Sequence, residues 1–83
     1  RRKETSMYYV YALKSLNRNY IYVGLTNDLN RRFNQHNSGH EKTTRSYAPF
    51  VLLYSEYHKT RAGARIREKY FKSGSGKEFL KSL

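Results

Sequence analysis

Tyr8-Tyr9-Val10-Tyr11-Ala12-Leu13 and Tyr20-Ile21-Tyr22-Val23-Gly24 are the stretches whose reading decides the fold. Both are rich in aromatic and β-branched residues, which suit a pleated, half-buried surface. Ser15-Leu16-Asn17-Arg18 lies between them and supplies turn residues, so the two stretches read as a β-hairpin. A turn closing Lys14 against Asn19 puts Tyr11 directly opposite Tyr22, on one face, with Cβ atoms about 4.5 to 5.5 Å apart. A slip of one residue would send the two rings to opposite faces.

Working outward, Thr26, Asn27 and Asp28 are all good N-caps and Leu29 and Phe33 follow four apart, which predicts a helix from about Asp28 to Asn37 that stops before Gly39. His40 to Pro49 is polar and without period, hence a loop. Phe50 to Tyr57 reads as a third strand, with Phe50-Val51-Leu52-Leu53-Tyr54 as its buried run. Thr60 caps a second helix through Lys72, with Ala62, Ile66 and Tyr70 as its apolar face, and Gly74 ends it. Ser75 and Glu78 form a capping box for a short last helix carrying Phe79 and Leu80. The order β-β-α-β-α-α predicts an α/β chain of the α+β type, a small three-stranded, mainly antiparallel sheet flanked by helices. Residues 1–6 are polar and read as a flexible arm or cloning remnant, and 7–83 as one domain.

At 83 residues the chain supports one modest core. Lys and Arg number 17 against 6 Asp and Glu, a formal charge of +11 that opposes compactness unless a polyanion is near, so nucleic acid is the partner this composition favours. There is no cysteine, which excludes disulfides and thiolate metal sites and permits an intracellular compartment; the expected location is the cytoplasm. The apolar runs are too short for a membrane span or a secretory signal, so no membrane partner is expected. Gly74-Ser75-Gly76-Lys77 is not a phosphate-binding loop, since Glu78 follows the lysine and a helix precedes it. No cluster has zinc spacing, and no small-molecule cofactor is indicated.

Arg32 and His36 lie four apart and share a helix face bordering the Leu29/Phe33 stripe. Composition alone makes them part of a solvated basic surface. Glu68 sits among Arg61, Arg65, Arg67, Lys69 and Lys72, on the Ala64/Phe71 side of its helix. As a structural residue it would pair with Lys72, worth about 0.2 to 0.5 kcal/mol on an exposed helix. A lone carboxylate can also hold a hard divalent cation that keeps most of its waters. His40 and His58 have no comparable support, and most of the nine tyrosines must be packing residues.

Tyr9-Val10-Tyr11, Tyr22-Val23-Gly24, the run Thr26-Asn27-Asp28-Leu29 through Arg31-Arg32-Phe33 to His36, and Glu68 within Arg67-Glu68-Lys69 together resemble the GIY-YIG nuclease family, in its compact single-domain form. The chain departs from the family name at Tyr9, Val10 and Val23, positions of structural rather than chemical character. The resemblance implies a metal-dependent endonuclease acting on duplex or branched DNA, of the kind found in repair and mobile-element nucleases. It implies Tyr11 as general base with His36 receiving the proton, Tyr22 orienting water or phosphate, Arg32 stabilising the phosphate charge, and Glu68 binding magnesium or manganese. Arg32, the bound cation and the positive field are expected to favour the Tyr11 phenolate. These polar ends should surround one solvent-reachable, phosphate-sized space. Family members commonly add an Asn in the last helix; none follows Glu68 here. The alternative is a weak or inactive nucleic-acid-binding module on the same fold, or one that binds RNA through exposed tyrosines.

Overall fold

The computed structural model describes residues 7–83; the expected N-terminal arm lies outside the described residues. The elements are β1 (Tyr8–Ser15), β2 (Ile21–Thr26), α1 (Leu29–Asn37), a 3-10 turn (Arg45–Tyr47), β3 (Phe50–His58), α2 (Arg61–Lys72) and α3 (Gly74–Lys81). The strands form one antiparallel sheet in the order β2-β1-β3, the α+β architecture expected.

The hairpin register differs from expectation by two residues. Tyr11 stands opposite Gly24, and Tyr22 opposite Leu13. The cause is Ser15, which extends β1: its N–H donates to the Tyr20 carbonyl at 3.0 Å. The Ser15 hydroxyl oxygen accepts from the N–H of Asn17 at 3.3 Å and of Arg18 at 3.1 Å. Four residues therefore turn the corner instead of a closure at Lys14 and Asn19. Because the slip is two and not one, Tyr11 and Tyr22 keep a common face as diagonal neighbours.

β1 is the spine of the molecule and its alternation divides the core. Val10 and Ala12 point to one side and join Val23, Ala64, Phe71 and Leu80 beneath α2 and α3. Tyr11 and Leu13 point to the other and join Phe50, with Leu29 and Phe33 of α1 packed on them. A bulge in β3, between the pairs Ala12–Tyr54 and Leu13–Leu52, lets Phe50 serve the α1 side while Tyr54 serves the α2 side. The run 50–54 is thus less buried than its composition suggested: Val51 and Leu52 are 41% and 45% exposed on an edge strand.

Asp28 caps α1, accepting from the Arg31 N–H, and Thr60 caps α2, accepting from the Gly63 N–H. The expected apolar face of α2 is its outer face, with Ile66 69% exposed. The stripe that packs inward is Ala64, Phe71 and the half-buried Arg67 and Glu68, whose stems cover the sheet. The α3 cap is Ser73, not Ser75: its hydroxyl accepts from the Gly76 N–H at 3.4 Å. Helices α2 and α3 meet so closely there that a Cβ on Gly76 would overlap the Tyr70 carbonyl oxygen.

Candidate active site

The site is built on the α1 side of the sheet. Gly24 lacks a side chain opposite Tyr11, and the Tyr11 ring lies over it; a Cβ there would come within 2.5 Å of the phenolic oxygen. The Tyr11 hydroxyl, so placed, meets His36 Nε2 at 3.0 Å, and His36 Nδ1 meets the Thr44 hydroxyl at 2.9 Å. Tyr11 and His36 are 1% and 0% exposed, and Thr44 is fully buried. Tyr22, only partly buried, packs its ring against His36 at 4.7 Å and Tyr11 at 6.1 Å between centroids. A buried polar chain of this kind persists only if each member finds a partner, and here each does.

Arg32, one turn before His36, donates from one guanidinium nitrogen to Gln35 Oε1 at 2.8 Å and Glu41 Oε2 at 2.9 Å. Glu41 and Thr44 belong to the loop after α1. That loop is closed by Asn37, whose amide donates to the Phe50 carbonyl at 3.1 Å and whose carbonyl accepts from the Phe50 N–H at 2.5 Å. One asparagine therefore fixes the segment that completes the histidine's hydrogen bonds and holds the arginine.

Burial, followed by the neighbouring Tyr22, pushes the Tyr11 phenol up to about 12, against the opposing pull of Arg32. Arg32 pulls toward the phenolate as expected, but desolvation outweighs the guanidinium, and Tyr11 is protonated at neutral pH. Burial, then Arg32, lowers the His36 pKa below its ordinary 6.5, against the pull of Glu41, so the imidazole is neutral. The Arg32 guanidinium, by hydrogen bond and charge, holds Glu41 below the usual carboxylate range.

Four of the five residues singled out from sequence, Tyr11, Tyr22, Arg32 and His36, lie on this side. Glu68 does not join them there. It is on α2, against the other sheet face, with its side chain 13% exposed and paired with Lys72 at 3.2 Å and Arg65 at 3.9 Å. The link between the two groups runs round the free edge of β2, where Tyr22 and Lys72 line one hollow. Glu68 fits a divalent cation in one respect, as a hard oxygen donor largely shielded from water. Among the described residues no set of three acidic or imidazole groups gathers to hold a metal. Substrate oxygens and water would have to complete its coordination, as magnesium permits.

Sequence reasoning missed Thr44 and Glu41. Glu41 carried a faint signal as one of only six acidic residues in a basic chain. Thr44 carried none, since its partner appears only when the loop folds back.

The antiparallel hairpin presents two tyrosines to an Arg/His helix, with a carboxylate on the helix beyond, and the class to which comparison assigns this arrangement is a nuclease fold. More particularly, residues 7–81 match the GIY-YIG catalytic domain model, and the chain belongs to that family. It is 40% identical over 67 residues to a UPF0213 protein of Clostridium perfringens, covering 80% of this chain and 71% of that protein. It is 41% identical over 58 residues to a UPF0213 protein of Bacillus cereus, covering 69% of this chain and 60% of the relative's length. The solution NMR structure of a UPF0213 protein from Bacillus halodurans shares the fold, with a TM-score of 0.56 and 35% identity over 93% of this chain and 84% of that one. No helix among the described residues is long and apolar enough to cross a membrane.

Proposed function

We propose that this chain is a divalent-cation-dependent endonuclease domain that hydrolyses phosphodiester bonds of DNA in the cytoplasm. The observation that carries the reading is the hydrogen-bonded chain from Tyr11 through His36 to Thr44, placed one helical turn from Arg32. A water attacking phosphorus must lose a proton, and this chain can take it without a phenolate. Tyr11 accepts the water's proton while passing its own to the neutral His36 Nε2, and the imidazolium so formed keeps Nδ1–H donated to the Thr44 oxygen. Tyr22, the less buried tyrosine, orients the water or a phosphate oxygen. Arg32, exchanging Glu41 for the scissile phosphate, stabilises the charge that builds there. A cation held by Glu68 would polarise the phosphate and stabilise the leaving oxygen.

One observation favours a second reading, a binding module without activity: Arg32 and Glu68 each already have an internal ion-pair partner. Nicking of supercoiled plasmid with magnesium or manganese, and none with chelator, separates the two. Glu68→Gln is expected to abolish cleavage and leave DNA binding equal or tighter, since one repulsive carboxylate is removed. Full cutting by that variant would reduce Glu68 to a helix ion-pair residue.

A further inference from the structure

The free edge of β2 and the helices α2 and α3 border an open channel whose walls, Tyr22 apart, the catalytic reading does not use. Two adjoining hollows of about 270 and 310 Å³ share Tyr20, Ile21 and Lys77 as walls. Lys72 and Tyr22 stand at one end, and Lys81 at the other. A third hollow continues from Lys81 to Lys14. Four lysines thus line one path and no Asp or Glu does. Among the described residues Lys14, Lys77 and Lys81 have no acidic ion-pair partner. The hollow between Met7 and Asn30, by contrast, has no lysine and includes Asp28.

Two further features suit a phosphodiester strand. Lys77 and Lys81 lie four apart on α3, so their ammonium groups project from one helix face in sequence along the channel. Tyr20 lines both hollows at the sheet edge, and its ring, packed with the α1-side cluster, is held by stacking on Tyr47 at 3.9 Å and 17°. A tyrosine face held in place is a platform on which any base can stack. The channel begins at Tyr22 and at Lys72, the partner of Glu68, which is where the two halves of the candidate active site approach each other.

Resting on the DNA-cutting reading above, we propose that this channel is the track for one strand of DNA leading away from the scissile phosphate, with Lys77 and Lys81 holding its phosphates and Tyr20 a base. The test is fluorescence anisotropy of labelled single-stranded and duplex DNA, in chelator, across a salt series. K77Q/K81Q is compared with K59Q/R61Q, which removes equal charge from residues that line no part of the channel. The channel variant is expected to lose about tenfold or more in affinity, and its slope of log affinity against log salt to fall by about two, one per phosphate contact. Equal losses in both variants, with wild-type binding intact, overturn the channel and leave the nuclease reading standing. A wild-type protein that binds no nucleic acid overturns both. Preferential binding of RNA, lost in K77Q/K81Q, overturns DNA as the occupant. Should K77Q/K81Q fail to fold by circular dichroism, acetylation of the wild-type amines decides: DNA must shield Lys77 and Lys81 more than Lys59, and equal labelling overturns the proposal.

Discussion

The two faces of the β1 spine are packed by different rules. Beneath α2 and α3, Val10, Ala12, Val23, Ala64, Phe71 and Leu80 form an apolar cluster whose stabilisation scales with area removed from water. Beneath α1, the fully buried groups include Tyr11, His36 and Thr44, whose burial is tolerated because the chain of hydrogen bonds is complete. The first face supplies stability at little chemical interest. The second holds two neutral, hydrogen-bonded rings out of water, where small changes in partner have large consequences. In a domain of this size the division is informative, because one strand with period two serves both ends by alternation alone.

The sharpest test of the apolar face is Phe71→Ala. Phe71 is 1% exposed and touches Tyr54, Tyr70 and Phe79 at ring separations of 5.3, 5.1 and 6.0 Å. Its truncation is expected to remove about 3 to 5 kcal/mol, most of the stability of so small a domain, read as a lower urea midpoint. A loss below about 1 kcal/mol would mean that α2 can settle onto the sheet without it.

Tyr11→Phe tests the polar face. The ring stays and the hydroxyl goes, leaving His36 Nε2 buried without a partner, at a cost of about 1 to 3 kcal/mol. Cleavage is expected to fall about 10² to 10⁴-fold, the usual worth of a positioned acid–base group. Destabilisation with unchanged cutting rate would make the Tyr11–His36 pair a packing device and return the two faces to equal standing.

How much of this could be read from the chain follows the same division. The hairpin, the three strands and the caps Asp28 and Thr60 were legible because each depends on local composition. The register was not, because it hinges on one Ser15 hydroxyl gathering two N–H groups, which no periodicity signals. The apolar face of α2 was misassigned for a related reason. Ala62, Ile66 and Tyr70 are the obvious apolar spacing, yet the stripe that packs includes Arg67 and Glu68, whose stems count as apolar only once the sheet is beneath them. The pairing of Tyr11 with His36 spans 25 residues and its completion by Thr44 another 8, so both appear only in the folded chain. The pull of Arg32 on Tyr11 was legible because charge is visible in the sequence; the burial that outweighs it was not.

A charged hub lies on the rim of the apolar side, and it sets a third test. Glu56 accepts from Arg67 at 2.8 and 3.1 Å and from the Tyr54 hydroxyl at 2.7 Å, with His58 also at 2.7 Å. Burial would raise its pKa, but the bonds from Arg67, His58 and Tyr54 overcome this and bring it from 4.5 down to about 2. A carboxylate depressed in the folded state stabilises it above the unfolded pKa and loses that stabilisation as pH falls through the folded one. Stability should therefore decline between about pH 4.5 and 2, by on the order of 1 to 3 kcal/mol. Glu56→Gln should be less stable at pH 7 and show a shallower acid limb in thermal melts. An unchanged acid limb would assign acid sensitivity to the other carboxylates.

The smallest expected effect is the most discriminating for the polar face: between pH 7 and 9 the cleavage rate should change less than about twofold. The relay needs Tyr11 protonated and His36 neutral. Tyr11 is held up at about 12 and His36 below its ordinary value, so both conditions hold across that whole interval. At acid pH the rate should fall as His36 takes up a proton and can no longer accept one from Tyr11, and burial, by depressing the imidazole, should place that fall below the ordinary histidine range. A phenolate mechanism gives the opposite profile, a rate rising about tenfold per pH unit through the same interval until the tyrosine ionises. Single-turnover rates at saturating metal, with DNA binding measured at each pH, distinguish the two. A steady climb from pH 7 to 9 would return the role of base to ionised Tyr11 or Tyr22 and leave His36 as a structural partner.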